Sequence, residues 1–321
     1  MKVSSQPLTC QIGDLRVPGY QTADSRQQSG WGDRPATASH ESQRSVLENR
    51  SERQGRRPMK MLSPLTEPVD VHAEIHGDLD GAVPLVFVHG VGSSAKAWSD
   101  VYERLPDDRP RIRYDLRGHG SSPAPAGPWT VDDFVADHLR LLDRLGVRAA
   151  DTVGFSLGGL IAQRTAIVRP DVVRRLVVIG SVAGRTEEET SRVLARLAMV
   201  EAEGPGGAAG QSVERWYTRE YLDAHPEVTA DTVARMSRLD PTAYTNAYRV
   251  LATTDLADEL DRISAPVLAM TGQFDVGSPP RMSRLIAERT DGRFVEVPGV
   301  KHEVLQERPD LITKEIINHV A

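Results

Sequence analysis

At 321 residues the chain has room for one large domain or two ordinary ones, and 39% hydrophobic with 26% charged residues excludes collagen-like, coiled-coil and wholly disordered classes. Apolar runs such as 82–88 and 176–179 are far shorter than the ~20 residues a bilayer-spanning helix needs, so no membrane partner is expected. A formal charge of −6 speaks against nucleic acid as a partner, and nine histidines without an HExxH or paired CxxC pattern give no reason to expect a metal.

Residues 1–58 stand apart from the rest. They hold 14 hydrophobic residues and nine basic against six acidic ones, with no helical or strand period, so a disordered tail is expected. The sharper alternative is a basic docking arm for an acidic partner. The segment lacks the apolar stretch of a secretory signal and is too rich in acids for a transit peptide. Its Cys10 is the single cysteine of the chain, so no intramolecular disulfide is possible, which suits a cytoplasmic protein. Met59 and Met61 stand where the patterned sequence begins, and either is a candidate start.

From residue 69 strands alternate with helices. Val69, Val71, Ala73 and Ile75 alternate as a strand, 84–88 is a short apolar run ending at glycine, and 111–115 follows as a third strand. A helix is predicted from Val131 to about Leu145, opened by Thr130 with Asp133 three residues on, its apolar face formed by Val131, Phe134, Val135, Leu141, Leu142 and Leu145. Further buried strands are expected at 152–155, 175–180, 266–271 and 293–297, separated by helices long enough for parallel crossovers. The fold class is therefore α/β, with a mostly parallel central sheet flanked by helices. Residues 181–265 are too long for a simple crossover and show helical periodicity at 187–203, 213–224, 229–239 and 242–251, with one flexible break at 204–210. They read as a helical cap inserted into a domain running from 59 to 321. The cap carries four of the seven tyrosines and Trp216, which line either a pocket or the cap's own small core.

The chemistry gathers at strand ends. Gly154, Ser156 and Gly158 form a Gly-x-Ser-x-Gly motif between a buried strand and a helix, where a sharp turn would leave the serine strained and exposed. A serine nucleophile needs a base within reach and an acid to orient that base. Asp275 lies just past the strand 266–271 and His302 just past 293–297, giving the chain order serine, acid, histidine. Alone, Asp275 reads as a loop carboxylate and His302 as a surface histidine; the joint arrangement makes Ser156, Asp275 and His302 the candidate triad. The backbone N–H groups of Leu157 and of Val91, which follows His89 and Gly90 after the early strand, are the candidate oxyanion hole. His89 itself is expected to brace that loop.

His89 and Gly90, the run Asp115, Leu116, Arg117, Gly118, His119, Gly120, Ser121, Ser122, the elbow Gly154 to Gly159, and Asp275 and His302 resemble the α/β-hydrolase superfamily over about residues 68–321. Within it, the cap resembles the 3-oxoadipate enol-lactonases through Arg215, Trp216, Tyr217 and Thr218, His225 to Val228, Asp240 and Pro241, Ala265 to Leu268, and Pro279 and Pro280. Two departures stand out: many enol-lactonases have Asn-Ser-Leu-Gly where this chain has His89, Gly90, Val91 and Gly92, and an acidic residue where Phe274 precedes the triad acid. The resemblance implies a serine hydrolase that opens a small ester or lactone through an acyl-enzyme without cofactor. A carboxylesterase, a carbon–carbon bond hydrolase, a cofactor-free haloperoxidase or perhydrolase, a small-molecule receptor with a retained pocket, and a scaffold acting through the basic tail are the alternatives. It also implies a cation for a substrate carboxylate, with Arg215 the first candidate and Lys96 the second, in a pocket that includes Phe155 and Trp216.

Overall fold

The computed structural model describes residues 62–81 and 83–321. The expected tail, Cys10, Met59 and Met61 lie outside the described residues. Seven strands form one sheet: β1 Ala73–His76, β2 Leu85–Val88, β3 Arg111–Tyr114, β4 Ala150–Phe155, β5 Val173–Ile179, β6 Val267–Gly272 and β7 Arg293–Val297, in the order β1-β3-β2-β4-β5-β6-β7. Only β1 is antiparallel to its neighbour; the other pairs are parallel.

The two faces of the sheet follow from alternation along each strand. Val86, Val88, Ile112, Leu176, Val178, Val267 and Ala269 pack on one side against the helices Val131–Arg144, Leu157–Val168 and Pro280–Thr290. Leu85, Phe87, Val153, Phe155, Val177, Ile179, Leu268 and Met270 pack on the other against Trp98, Val101 and the C-terminal helix Pro309–Val320. Burial on both faces is why β2, β6 and the second half of β5 read as apolar runs.

The helix Val131–Arg144 forms as expected. Its entry is closed by Asp133 Oδ2, which accepts from the Thr130 N–H and hydroxyl at 2.7 Å each. The first strand is shorter than the alternation predicts. Val69 donates its N–H to Asp137 Oδ1 (2.7 Å) and Thr66 its N–H to Asp133 Oδ1 (2.7 Å), so this stretch runs along the helix and pairing with β3 begins only at Ala73. The buried Arg117 binds the same Asp137 at 2.6 Å.

Between β5 and β6 lie five α-helices, Glu187–Gly207, Ala209–Trp216, Arg219–Ala224, Glu227–Ser237 and Pro241–Thr253, and a short 3-10 helix, Ala257–Arg262. Leu197, Val200, Ala208, Ala209, Met236, Tyr244 and Tyr248 make a hydrophobic cluster among them. The stretch read as a flexible break, 204–210, is instead folded. Gly204 turns the chain at φ +70°, Pro205 restarts the helix with no N–H to lose, and Ala208 and Ala209 are small enough to be fully buried. Among the described residues no helix is long and apolar enough to cross a membrane.

The chain leaves β2 toward β3 on one side of the sheet and returns to β4 on the other. In an open parallel sheet such a reversal opens a crevice beyond the strand ends. Val88 at the end of β2 pairs with Gly154 near the end of β4, so the loops that follow these two strands flank that crevice.

Candidate active site

Ser156 sits at the turn from β4 into the helix Leu157–Val168 with φ 54° and ψ −116°, a strained conformation for a residue with a side chain. Close packing makes this turn possible. A Cβ at residue 158 would collide with the Val88 carbonyl oxygen, so only glycine lets the helix start against β2. Ser156 N–H donates to the Ile179 carbonyl (2.9 Å), which anchors the turn to β5. Leu157 is the first residue of the helix, and its N–H has no acceptor one turn back.

Asp275 and His302 follow β6 and β7, and the two strands keep their pairing into the loops: Gln273 N–H donates to Val297 O and Phe274 N–H to Val300 O, both at 2.9 Å. His302 Nδ1 donates to Asp275 Oδ2 at 2.6 Å. The other carboxylate oxygen of Asp275 accepts the N–H groups of Gly277 (2.8 Å) and Ser278 (3.0 Å). Burial would by itself raise the Asp275 carboxyl, but the His302 charge and these hydrogen bonds outweigh it and hold the pKa below the ordinary value. Burial likewise opposes a charged imidazole at His302, yet the neighbouring Asp275 wins and raises its pKa. The Phe155 ring lies 4.9 Å from the imidazole, centroid to centroid. Ser156, Asp275 and His302 all line one cavity, together with Gly90 and Val91 from the loop after β2.

That loop is braced by two neutral histidines. The buried His89 accepts the Leu116 N–H at Nε2 (3.0 Å), so its Nδ1 carries the proton and donates to the Gly90 carbonyl (2.7 Å). In a trans peptide the N–H points opposite to the C=O, so the bond that holds the Gly90 carbonyl also aims the Val91 N–H away from His89. Burial, reinforced by the neighbouring His119, lowers the His89 pKa to about 3 and keeps it uncharged. His119 accepts the Gly92 N–H at Nε2 (3.0 Å) and donates from Nδ1 to Arg117 O (2.9 Å). Asp115 accepts the N–H groups of Ala95 (2.8 Å) and Ser121 (2.9 Å). The histidine- and glycine-rich run after β3 is thus the scaffold of the loop after β2.

Phe155, Arg215 and Trp216 line the cavity as the sequence suggested. Lys96 does not. It lies on the turn Ala95–Trp98, whose inward positions are taken by the buried Ala95 and Trp98, so its side chain is left exposed on the outside. Four charged cavity residues escaped the sequence reading: Arg185, Arg196, Arg235 and Glu303. Arg185 donates to the carbonyls of Thr254 (3.0 Å) and Leu251 (2.6 Å), Arg196 to Ser212 Oγ, and Arg235 to the Gly92 carbonyl. Burial lowers the pKa of Arg185 and Arg196, with Arg215 adding to the effect at Arg196. Arg215 has no ion pair or side-chain hydrogen bond among the described residues. Burial raises the Glu303 carboxyl above its ordinary range. The cavity therefore combines four guanidinium groups with two carboxyls, Asp275 and Glu303, of which Asp275 is already committed to His302.

The profile of the alpha/beta hydrolase family matches residues 85–315, from the start of β2 into the C-terminal helix. The chain belongs to the alpha/beta hydrolase family. This hydrolase is 28% identical over 225 residues, 70% of its length and 84% of the relative's, to 3-oxoadipate enol-lactonase 2 of Acinetobacter baylyi. It is 29% identical over 236 residues, 72% of its length and 88% of the relative's, to (E)-2-((N-methylformamido)methylene)succinate hydrolase of the same organism. Among solved structures, the enol-lactonase from Burkholderia xenovorans superposes with a TM-score of 0.73 at 28% identity, covering 78% of this chain and 96% of that one.

Proposed function

We propose that this enzyme is a serine hydrolase that opens a small ester or lactone bearing a carboxylate, through an acyl-enzyme formed on Ser156. The observation that carries the reading is the His302–Asp275 hydrogen bond at 2.6 Å beside a serine held at positive φ in the same cavity. His302, with Nδ1 committed to Asp275, presents Nε2 as the base that takes the Ser156 proton while Oγ attacks the carbonyl carbon. The carbonyl oxygen becomes an oxyanion received by the N–H groups of Val91 and Leu157, the second of which also carries the partial positive charge of a helix N-terminus. The tetrahedral intermediate collapses to the acyl-enzyme, and His302 returns the proton to the leaving oxygen. Water, activated by the same imidazole, then attacks the acyl carbon and releases the acid. In a lactone the leaving oxygen stays tethered, so this water must attack before the ring recloses.

Preference for an acidic substrate is supported by the cavity's excess of guanidinium groups and by two relatives named for acids, a 3-oxoadipate enol-lactonase and a methylenesuccinate hydrolase. Arg215 is the cation assigned to the carboxylate, since its planar fork matches a carboxylate and has no other charged partner among the described residues. The test is a fluorophosphonate probe followed by peptide mapping. Ser156 is expected to carry the label, and Ser156→Ala to lose both labelling and hydrolysis of p-nitrophenyl acetate; label on another serine, or turnover retained by the variant, refutes the assignment.

A further inference from the structure

The loop after β2 is gripped a second time, from the helices inserted between β5 and β6. Arg235, on the helix Glu227–Ser237, reaches 143 residues back along the chain and donates from Nη1 to the Gly92 carbonyl. Tyr244, on the helix Pro241–Thr253, packs its ring on the same residue: a Cβ at position 92 would lie 2.7 Å from Tyr244 Cε2 and 3.5 Å from Leu239 Cδ1. Gly92 itself has φ +71°, so glycine is required here both for the backbone and for the ring.

Consecutive peptide units of the loop are thereby fixed by different parts of the molecule. The Gly90–Val91 unit is held at its carbonyl by His89. The Val91–Gly92 unit is held at its N–H by His119, and the Gly92–Ser93 unit at its carbonyl by Arg235. The first two holds belong to the sheet domain. The third comes from the inserted helices, on the side of the loop where the Tyr244 ring also packs. Arg235 has no ion pair among the described residues, although Glu303 lines the same cavity; its guanidinium donates to a neutral carbonyl instead.

We infer that Arg235 is a positioning residue for the oxyanion hole: its hydrogen bond to the Gly92 carbonyl, backed by the Tyr244 ring, holds the Val91 N–H where the developing oxyanion will sit. This role rests on Ser156 being the nucleophile. The inserted helices then do more than cover the cavity, since one of them completes the support of a group that acts only in the transition state.

Losing an oxyanion donor outright costs about 10²–10³ in kcat, and loosening one costs part of that. Arg235→Met is expected to lower kcat on p-nitrophenyl acetate about tenfold or more, with KM changed less than about threefold, and to slow phosphonylation of Ser156 by a fluorophosphonate in proportion. Arg235→Lys keeps a donor and is expected to recover most of both rates. Tyr244→Leu, which frees the other side of Gly92 and leaves Arg235 in place, is expected to lower kcat in the same way and decides the matter if Arg235→Met does not fold. Unchanged kcat and labelling rate in Arg235→Met or in Tyr244→Leu overturns the role. So does a rise in KM confined to acidic substrates, which would make Arg235 a substrate cation. Hydrolysis retained by Ser156→Ala would instead overturn the nucleophile, whatever Arg235 does.

Discussion

Replacing Asp275 with asparagine probes the proposed chemistry at its most constrained point. The carboxylate accepts on both sides: Oδ1 takes the N–H groups of Gly277 and Ser278, and Oδ2 takes His302 Nδ1. An asparagine amide must put its oxygen toward the two backbone donors, because its NH₂ group there would meet two N–H groups. The NH₂ then faces His302 Nδ1, which has to accept. The imidazole proton moves to Nε2, and the nitrogen that should take the Ser156 proton is already protonated. The corresponding change in a serine protease lowers turnover about 10⁴-fold, equivalent to about 5.4 kcal/mol of transition-state stabilisation. The same order of loss is expected here in kcat on p-nitrophenyl acetate, with the fold intact by circular dichroism. Turnover should recover in part at high pH as hydroxide replaces the base. A loss below about tenfold in a folded variant would mean that the tautomer is not set by Asp275, and the acid would have to be sought elsewhere.

Three further outcomes follow from the same geometry. His302 acts as a base only when neutral and its pKa is raised, so kcat/KM should rise with pH about a midpoint above the ordinary imidazole value of ~6.5; a midpoint below it refutes the dominance of the Asp275 charge. The raised pKa also makes the protonated imidazole a stabilising group, fully so below the unfolded-state value and lost as pH rises through the folded one, so the Tm advantage over His302→Gln should shrink as pH rises above the ordinary imidazole value of ~6.5 and must not grow. Arg215→Ala should raise KM for an acidic lactone about tenfold or more and leave a neutral p-nitrophenyl ester nearly unaffected, whereas equal losses on both would assign Arg215 to packing.

What could be read from the sequence was whatever a local pattern records. β2, β6 and the second half of β5 are buried on both faces and so appear as apolar runs, and Asp275 follows one of them; Ser156 follows the fully buried β4, while His302 follows the half-exposed edge strand β7. The cavity cations left no comparable trace, because Arg185, Arg196 and Arg235 come from separate segments and meet only through the packing of the inserted helices. One weak signal existed. Arg196 shares a helix face with Val193 and Val200 at spacings of three and four, an apolar position that a solvated arginine would not take. Lys96 misled for the opposite reason: nearness in sequence to Gly90 says nothing about the side of the turn on which a side chain emerges. The run 204–210 looked flexible by composition, but a glycine followed by proline is equally the stop and restart of a helix, and the buried Ala208 and Ala209 decide between them.

The inserted helices and the sheet are joined at the site by more than contact across a cavity. The Trp216 carbonyl accepts the Glu303 N–H (2.9 Å) one residue beyond His302, and the Glu214 carbonyl accepts from Lys301 Nζ (2.7 Å) one residue before it. Thr218 is bound through its N–H (3.0 Å) and hydroxyl (2.6 Å) to Glu307, and Tyr217 through its hydroxyl to Gln306 (2.8 Å). The segment that carries Arg215 and Trp216 is therefore tied to the loop that carries the proposed base, just as Arg235 is tied to the loop that carries the proposed oxyanion donor. On this arrangement a shift of the inserted helices cannot change the fit of a substrate without also moving groups that act on its carbonyl. Selection of substrate and stabilisation of the transition state then share the same supports, and that is a physical reason for the cap of such an enzyme to be coupled to its chemistry rather than merely laid over it.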